Sequence, residues 1–284
     1  MLSHMKQTWK LDSAQRARLP TLYRSGASIC QLAETFGVSP QAVYQFLRRE
    51  GTPIRTLSVS HTRYRCNHAF FQVVNTEATA YWLGFLAADG HISPRKRSVD
   101  VLTLTLSTHD QTHLDHFKQA ISAEHPVRVY ITKKGFGYCR LAIASQELVD
   151  DLATLGIGPL KRHRLSFPTV PSHLIHHFMR GYFDGDGSIS DPLTRLGWKN
   201  PRVSVIGYHS FISEYQARLA SSCGLDLLKL SWRLGTPYFA YGGRLQVLRI
   251  FTFLYRDATV YLDRKYQRFL AYARLVVPAG EASV

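Results

Sequence analysis

Two nine-residue segments of this chain say nearly the same thing. Trp82 to Gly90 reads WLGFLAADG, and Met179 to Gly187 reads MRGYFDGDG. Aligning them pairs Gly84 with Gly181, Asp89 with Asp186 and Gly90 with Gly187, at an offset of 97 residues each time. An internal repeat on the scale of half a domain predicts a body with a pseudo-twofold axis. In each copy a small residue recurs four positions on, Gly84 with Ala88 and Gly181 with Gly185. On a helix those positions share one face, and the lack of bulk lets another backbone approach closely. Each copy ends in Asp-Gly, and glycine past a helix end predicts a stop in the left-handed conformation. An aspartate in the last turn meets the negative end of the helix dipole. Two of them predict a bound cation.

These segments resemble the paired LAGLIDADG motifs of single-chain homing endonucleases, over roughly residues 77 to 275. The copy at 179–187 is the closer match, with Asp184, Asp186 and both glycines. The copy at 82–90 departs at Ala87, where the family often has a second acid. The resemblance implies an α+β fold: a pseudo-twofold core of two αββαββα halves, residues 77–170 and 171–284, with antiparallel DNA-binding sheets. It carries the catalytic acid to Asp89 and Asp186 and implies Mg²⁺, as two or three divalent ions shared between the two aspartates. In the family a lysine downstream of each motif reaches the active site. The matching residues are Lys161, 72 after Asp89, and Lys265, 79 after Asp186, with Arg162, Arg164 and Arg264 as basic neighbours that could substitute.

That set suits phosphodiester hydrolysis. The reaction needs a nucleophilic water and a stabilised leaving oxygen, and divalent ions held by carboxylates supply both. Mg²⁺ takes few protein carboxylates and fills its shell with water and phosphate oxygens. Lysines would stabilise developing charge or orient water.

The charge points to the same partner. There are 35 Lys+Arg against 20 Asp+Glu, a formal net charge of +15. Residues 1–60 carry +5, residues 61–170 carry +4 and residues 171–284 carry +6, so no single tail accounts for the excess. A polyanion that crosses every segment does, and double-stranded DNA is the partner expected. Charge by itself also suits plain solubility or a membrane surface.

A separate pattern precedes the repeat. Helices are predicted over Ser13–Tyr23, over Ile29–Phe36 with Ser28 as cap, and from Pro40 to about Glu50. Leu32, Ala33, Phe36, Gly37, Val38, Val43 and Phe46 fall where a helix-turn-helix needs apolar or small residues. Residues 1–55 therefore resemble the small all-α helix-turn-helix domain of resolvases and transcription regulators. Gln41, Tyr44, Gln45, Arg48 and Arg49 face outward on the third helix, where Gln and Arg reach base edges and phosphates. A module used for protein contact has the same pattern. Residues 56–76 read as a basic linker, and Arg55, Arg63 and Arg65 as phosphate-tracking residues within poor core material.

Period-two alternation marks strands in both halves. Leu102, Leu104 and Leu106 oppose Val101, Thr103 and Thr105; Val127, Val129 and Ile131 oppose Arg128, Tyr130 and Thr132; Cys139, Leu141 and Ile143 oppose Tyr138 and Arg140. Val203 and Val205 oppose Arg202 and Ser204; Leu228, Leu230 and Trp232 oppose Lys229, Ser231 and Arg233. One apolar face and one polar face per sheet is the pattern expected. The polar members are the candidate DNA contacts, with Arg95, Lys96 and Arg97 in the loop joining the first two strands. Helices over 111–121, 146–155, 211–223 and 245–255 cover the apolar face.

Cys30, Cys66, Cys139 and Cys223 are too few and too scattered for a disulfide scaffold or zinc knuckle, so they read as reduced thiols. With no signal peptide and no apolar run of spanning length, the expectation is an intracellular protein of cytoplasm, nucleoid or organelle. His109, His113 and His116 share helical spacing, and a polar helix surface near DNA accounts for them better than zinc. The expected function is a metal-dependent, site-specific DNA endonuclease that makes a double-strand break. It is expected to be a monomer without a required protein partner, leaving 3′ overhangs and mobilising its own gene. The rivals are a non-catalytic transcription regulator of the same domain plan and an intron RNA maturase.

Overall fold

Alternation and capping lay out the elements, and a computed structural model describes residues 11–25, 27–54, 64–95, 99–159, 165–191 and 200–276. The chain divides into two units, residues 1–63 and 64–284.

In the first unit each helix opens on a side chain that accepts an orphan backbone N–H. Asp12 caps α1 (Ser13–Arg24) and Ser28 caps α2 (Ile29–Phe36), each in a reciprocal box with the glutamine three positions on. Ser39 caps α3 (Pro40–Arg49), whose Pro40 sits where its missing N–H is harmless. Gly37 ends α2 at φ +64°, the left-handed turn that lets α3 fold back. Leu19, Tyr23, Leu32, Ala33, Val43, Phe46 and Leu47 close a small core.

The second unit is built on two long buried helices, α4 (Glu77–Asp89) and α7 (Ile175–Asp186). Each runs without a break into a sheet. After α4 come β1 (Gly90–Ser93), β2 (Val101–Ser107), α5 (Gln111–Ala120), β3 (Arg128–Ile131), β4 (Gly137–Ala144) and α6 (Gln146–Thr154). After α7 come β5 (Gly187–Ser190), β6 (Arg202–Ile206), α8 (His209–Cys223), β7 (Ser231–Arg233), β8 (Thr236–Gly242), α9 (Arg244–Tyr255) and α10 (Asp263–Val276). The sheets are antiparallel with matching orders, β1-β2-β4-β3 and β5-β6-β8-β7. Two αββαββα halves therefore share one core, with α10 added to the second. Leu102, Leu104, Cys139, Leu141 and Ile143 point into that core from the first sheet, and Val203, Val205, Phe239 and Tyr241 from the second.

Five expectations need correction. Gly90 and Gly187 do not stop their helices in the left-handed region: they are extended, at φ −67° and −81°. Glycine is required there by crowding, since a Cβ would lie 2.6 Å from the Leu86 carbonyl oxygen at Gly90 and inside the Phe183 ring at Gly187. The stretch read as a basic linker is, from Tyr64 on, part of the core: Phe71 is 1% exposed, and Asn67 N–H donates to the Ile121 carbonyl at 2.7 Å. The edge strands do not bury their apolar side. Val129 and Ile131 on β3 are 55% and 76% exposed, and Trp232 on β7 is 60% exposed, because the covering helices do not reach the outer hairpins. Leu228 to Leu230 precede β7 rather than forming part of it. Finally, His113 is not on a polar surface. It is buried against Trp82 and Phe85, with Nε2 on the Tyr81 hydroxyl at 3.0 Å.

Among the described residues four histidines of this unit are buried, His113, His125, His176 and His177, and burial disfavours the charged form of each. Burial pushes His113 and His176 down to about 3 and His177 down to about 4. Above the ordinary value of 6.5 both the folded and unfolded chains hold them neutral. Below it the unfolded chain binds protons that the folded chain refuses, so each group removes about 1.4 kcal/mol per pH unit on the way down. The urea midpoint should therefore fall steeply between pH 7 and pH 5, and His113→Gln should show a shallower fall than the parent. An equal slope in the two proteins would place His113 in water.

Candidate active site

The site is made where α4 and α7 touch. A Cβ on Gly84 would overlap the Phe178 carbonyl, and a Cβ on Gly181 would overlap the Tyr81 carbonyl. The two helices thus cross backbone to backbone at the motif glycines, as the small-residue spacing implied. One turn on, a Cβ on Gly185 would press on Ala88 and come within 3.2 Å of Asp89 Oδ2. The Asp89 carboxylate therefore lies against α7 at Gly185, the residue before Asp186. Asp89 is exposed and Asp186 half-buried, each as the last residue of its helix.

Lys265, from the first turn of α10, is 3% exposed beneath this pair. Its Nζ donates to the carbonyls of Phe183 at 2.5 Å, Asp184 at 2.8 Å and Gly187 at 2.6 Å. An ammonium has three protons, and here all three serve the carbonyl end of α7. The Asp184 carbonyl is one that a helix end leaves without an intrahelical partner, at the negative pole of the dipole, whereas the Phe183 carbonyl also accepts from Gly187 N–H and Gly187 opens β5. Burial lowers the Lys265 pKa to about 8, against the pull of Asp184, Asp89 and Asp186. Lys161 lies outside the described residues.

The sixth motif position explains itself. Asp184 is 1% exposed and accepts from the hydroxyls of Tyr255 at 2.5 Å and Tyr81 at 2.8 Å, and from Leu262 N–H at 2.8 Å. Burial raises its pKa, opposed by Lys265 and these hydrogen bonds. It is a structural acid that ties α7 to the other motif helix and to the segment entering α10. Ala87, its counterpart, is buried with no charge to satisfy.

A second buried network was not visible in the sequence. Arg180, fully buried in α7, donates to Glu77 at 2.6 Å, to the Val260 and Leu254 carbonyls at 3.0 Å each, and meets His177 Nδ1 at 2.8 Å. Glu77, at the start of α4, also accepts from Thr259 N–H at 2.7 Å, Thr259 hydroxyl at 2.7 Å and Val260 N–H at 3.0 Å. Burial would raise the Glu77 carboxyl, yet these bonds and the Arg180 charge hold it below its usual range. An arginine within the second motif helix, where the first copy has Leu83, was the available signal. Arg264 adds a bridge between halves, to Asp110 at 3.0 Å.

The remaining candidates fall on the sheet faces and in the first unit. Arg65, Arg95, Arg128, Arg140, Arg202, Lys229, Ser231 and Arg233 are exposed, and Thr103, Thr105, Tyr130 and Ser204 are half-buried on the face opposite the core. Gln41, Gln45, Arg48 and Arg49 are exposed along α3, with Tyr44 half-buried. Arg55, Arg63, Lys96 and Arg97 lie outside the described residues. Among the described residues no group of three or more His, Cys, Asp or Glu side chains is placed to hold a metal by itself, and no helix is long and apolar enough to cross a membrane.

No protein-family model matches the sequence, and no curated protein matches it. Solved structures do resemble it. Meganuclease I-SmaMI bound to uncleaveable DNA with a TTGT central four is 11% identical, with 72% of this chain and 89% of that chain covered at a TM-score of 0.50. LAGLIDADG meganuclease I-AabMI bound to uncleaved DNA is 11% identical, covering 71% and 91%, at 0.48. LAGLIDADG homing endonuclease I-GzeII in complex with its DNA target is 12% identical, covering 72% and 90%, also at 0.48. At such identity the likeness is one of architecture: the two motif helices, two four-stranded sheets and their covering helices have the single-chain LAGLIDADG fold.

Proposed function

We propose that the chain is a site-specific DNA endonuclease that cuts both strands within a long recognition site. The observation that carries this reading is that α4 and α7 end on Asp89 and Asp186 just beyond the points where each packs its motif glycine on the other's backbone, in a body with two four-stranded sheets that each turn a polar face outward. An exposed, hard carboxylate beside a second one suits Mg²⁺, which needs few protein ligands and completes its shell with water and phosphate. Two aspartates, with no group of three or more ligating side chains among the described residues, match that demand. Asp89 and Asp186 would hold the ions, which supply Lewis-acid charge for an attacking water and a leaving oxygen. The chain's own contribution is placement. The glycine contact fixes the separation of the two carboxylates, and the sheets lay their polar faces along the two half-sites. Lys265 fixes the end of α7 and adds positive charge beneath the site without reaching the substrate, so its role is positioning.

Both half-sites belong to one chain, which favours action as a monomer. The staggered cut with 3′ overhangs and a part in mobility of its own gene are extensions of the resemblance. In the first unit, α3 is proposed as a helix-turn-helix recognition helix that contacts a further stretch of duplex through Gln41, Gln45, Arg48 and Arg49.

Asp89→Asn and Asp186→Asn should each abolish double-strand cleavage of a selected duplex in Mg²⁺, with binding in chelator unchanged. Full cleavage by either variant would displace the site. Lys265→Met removes the donor shared by three carbonyls, and should lower unfolding free energy by about 3 kcal/mol in urea titrations as well as slow cleavage. A fully stable but cleavage-dead Lys265→Met would instead assign the lysine to the substrate. Deleting residues 1–55 should shorten the footprint on one side only and reduce the salt dependence of binding, because fewer phosphates are neutralised. A footprint of unchanged length would give that unit a protein-contact role.

A further inference from the structure

The polar faces of the two sheets are not equivalent. Gly90 stands opposite Leu104 and Gly187 opposite Val205, so Thr105 and Ile206 are related positions, each level with its motif aspartate. Across the first sheet Thr105 faces Arg140, which faces Arg128. Across the second, Ile206 faces Tyr238, which faces Ser231. One row carries two guanidinium groups and its counterpart carries none.

The charged row is costly in isolation. Like charges directly opposite each other on adjacent strands destabilise a sheet. Neither arginine is ion-paired among the described residues. Arg140 is nonetheless held still. Its Nε donates to Thr105 Oγ1 at 3.2 Å, and its guanidinium carbon lies 5.5 and 5.6 Å from the ring centres of Tyr130 and Tyr138, which stack on each other at 5.1 Å. With Nε engaged, the two terminal amino groups remain as a fork of fixed plane. Such a fork fits O6 and N7 of guanine in the major groove, the commonest specific contact between protein and DNA. A fork already positioned loses little freedom on binding.

Resting on the nuclease reading above, we infer that Arg140 reads a guanine in the half-site under the first sheet, close to the cleaved centre. The related position under the second sheet meets Ile206 and Tyr238, an apolar surface with one hydroxyl, and carries no guanine requirement. The recognised sequence is therefore unequal in its two halves at this position.

The test uses full-length protein bound, in chelator, to a pool of randomised linear duplexes, followed by sequencing of the bound fraction. The parent should enrich guanine at one position on one side of the centre, without a mirror-image partner. Arg140→Ala should reduce that preference about tenfold or more while leaving other positions intact. Arg140→Lys should lose the preference as well, yet keep the salt dependence, because it retains charge without the fork. Weaker binding to all sequences alike in Arg140→Ala would make Arg140 a phosphate contact and overturn the inference. Guanine at mirrored positions in both halves would overturn it too. A parent protein that enriches no sequence at all would instead overturn site-specific recognition, and this inference with it.

Discussion

The backbone contact of the two motif helices at Gly84 and Gly181 is the constraint from which the rest of the second unit follows. Each glycine lies where any side chain would overlap a carbonyl of the other helix. The crossing point is therefore fixed by main chain, the least deformable part of either element. Because each motif helix passes into a strand at the very next residue, the same contact places Gly90 and Gly187, and with them the first strand of each sheet. The site and the two outward faces share one origin, and a shift at the seam would move all three together.

Around that symmetric contact the polar chemistry is one-sided. Arg180 and Asp184 belong to α7, and the matching positions of α4 are Leu83 and Ala87. A buried ion pair such as Arg180–Glu77 adds little net stability over an apolar alternative, since desolvation offsets attraction. Its effect here is on geometry. Glu77 gathers Thr259 and Val260, Arg180 gathers Leu254 and Val260, and Asp184 gathers Tyr255 and Leu262. Those bonds pin the segment that leads into α10, so that Lys265 arrives under the helix end. The three carbonyls it binds lie within three residues of Asp186.

What the sequence disclosed follows from how local each signal is. The repeat, the small-residue spacing and the strand alternation depend on neighbouring residues, and they located the motif helices, the inner strands and the closing of Leu102, Leu104 and Leu106 onto the core. The caps at Ser28 and Ser39 are equally local. Burial at sheet edges is not: Val129 and Ile131 alternate as inner strands do, and only the reach of the covering helices leaves them exposed. The partners of Arg180 and Lys265 lie about eighty to one hundred residues away in the chain, and no spacing rule connects them. Phe71 and Val74 sit in the short, mostly apolar run 69–74, too short to show a period, which hid a segment that packs.

The one-sided seam also governs how the two halves can be recombined. Two copies of the first half would cross at their motif glycines with Leu83 and Ala87 where the second half has Arg180 and Asp184, and would lack Lys265. Two copies of the second half would bury two guanidinium and two carboxyl groups in one seam, without the glutamate and tyrosine that now answer them from α4. Each half is thus fitted to the other's difference, and a chimera built by duplicating either one would need its seam redesigned before its DNA-facing surface.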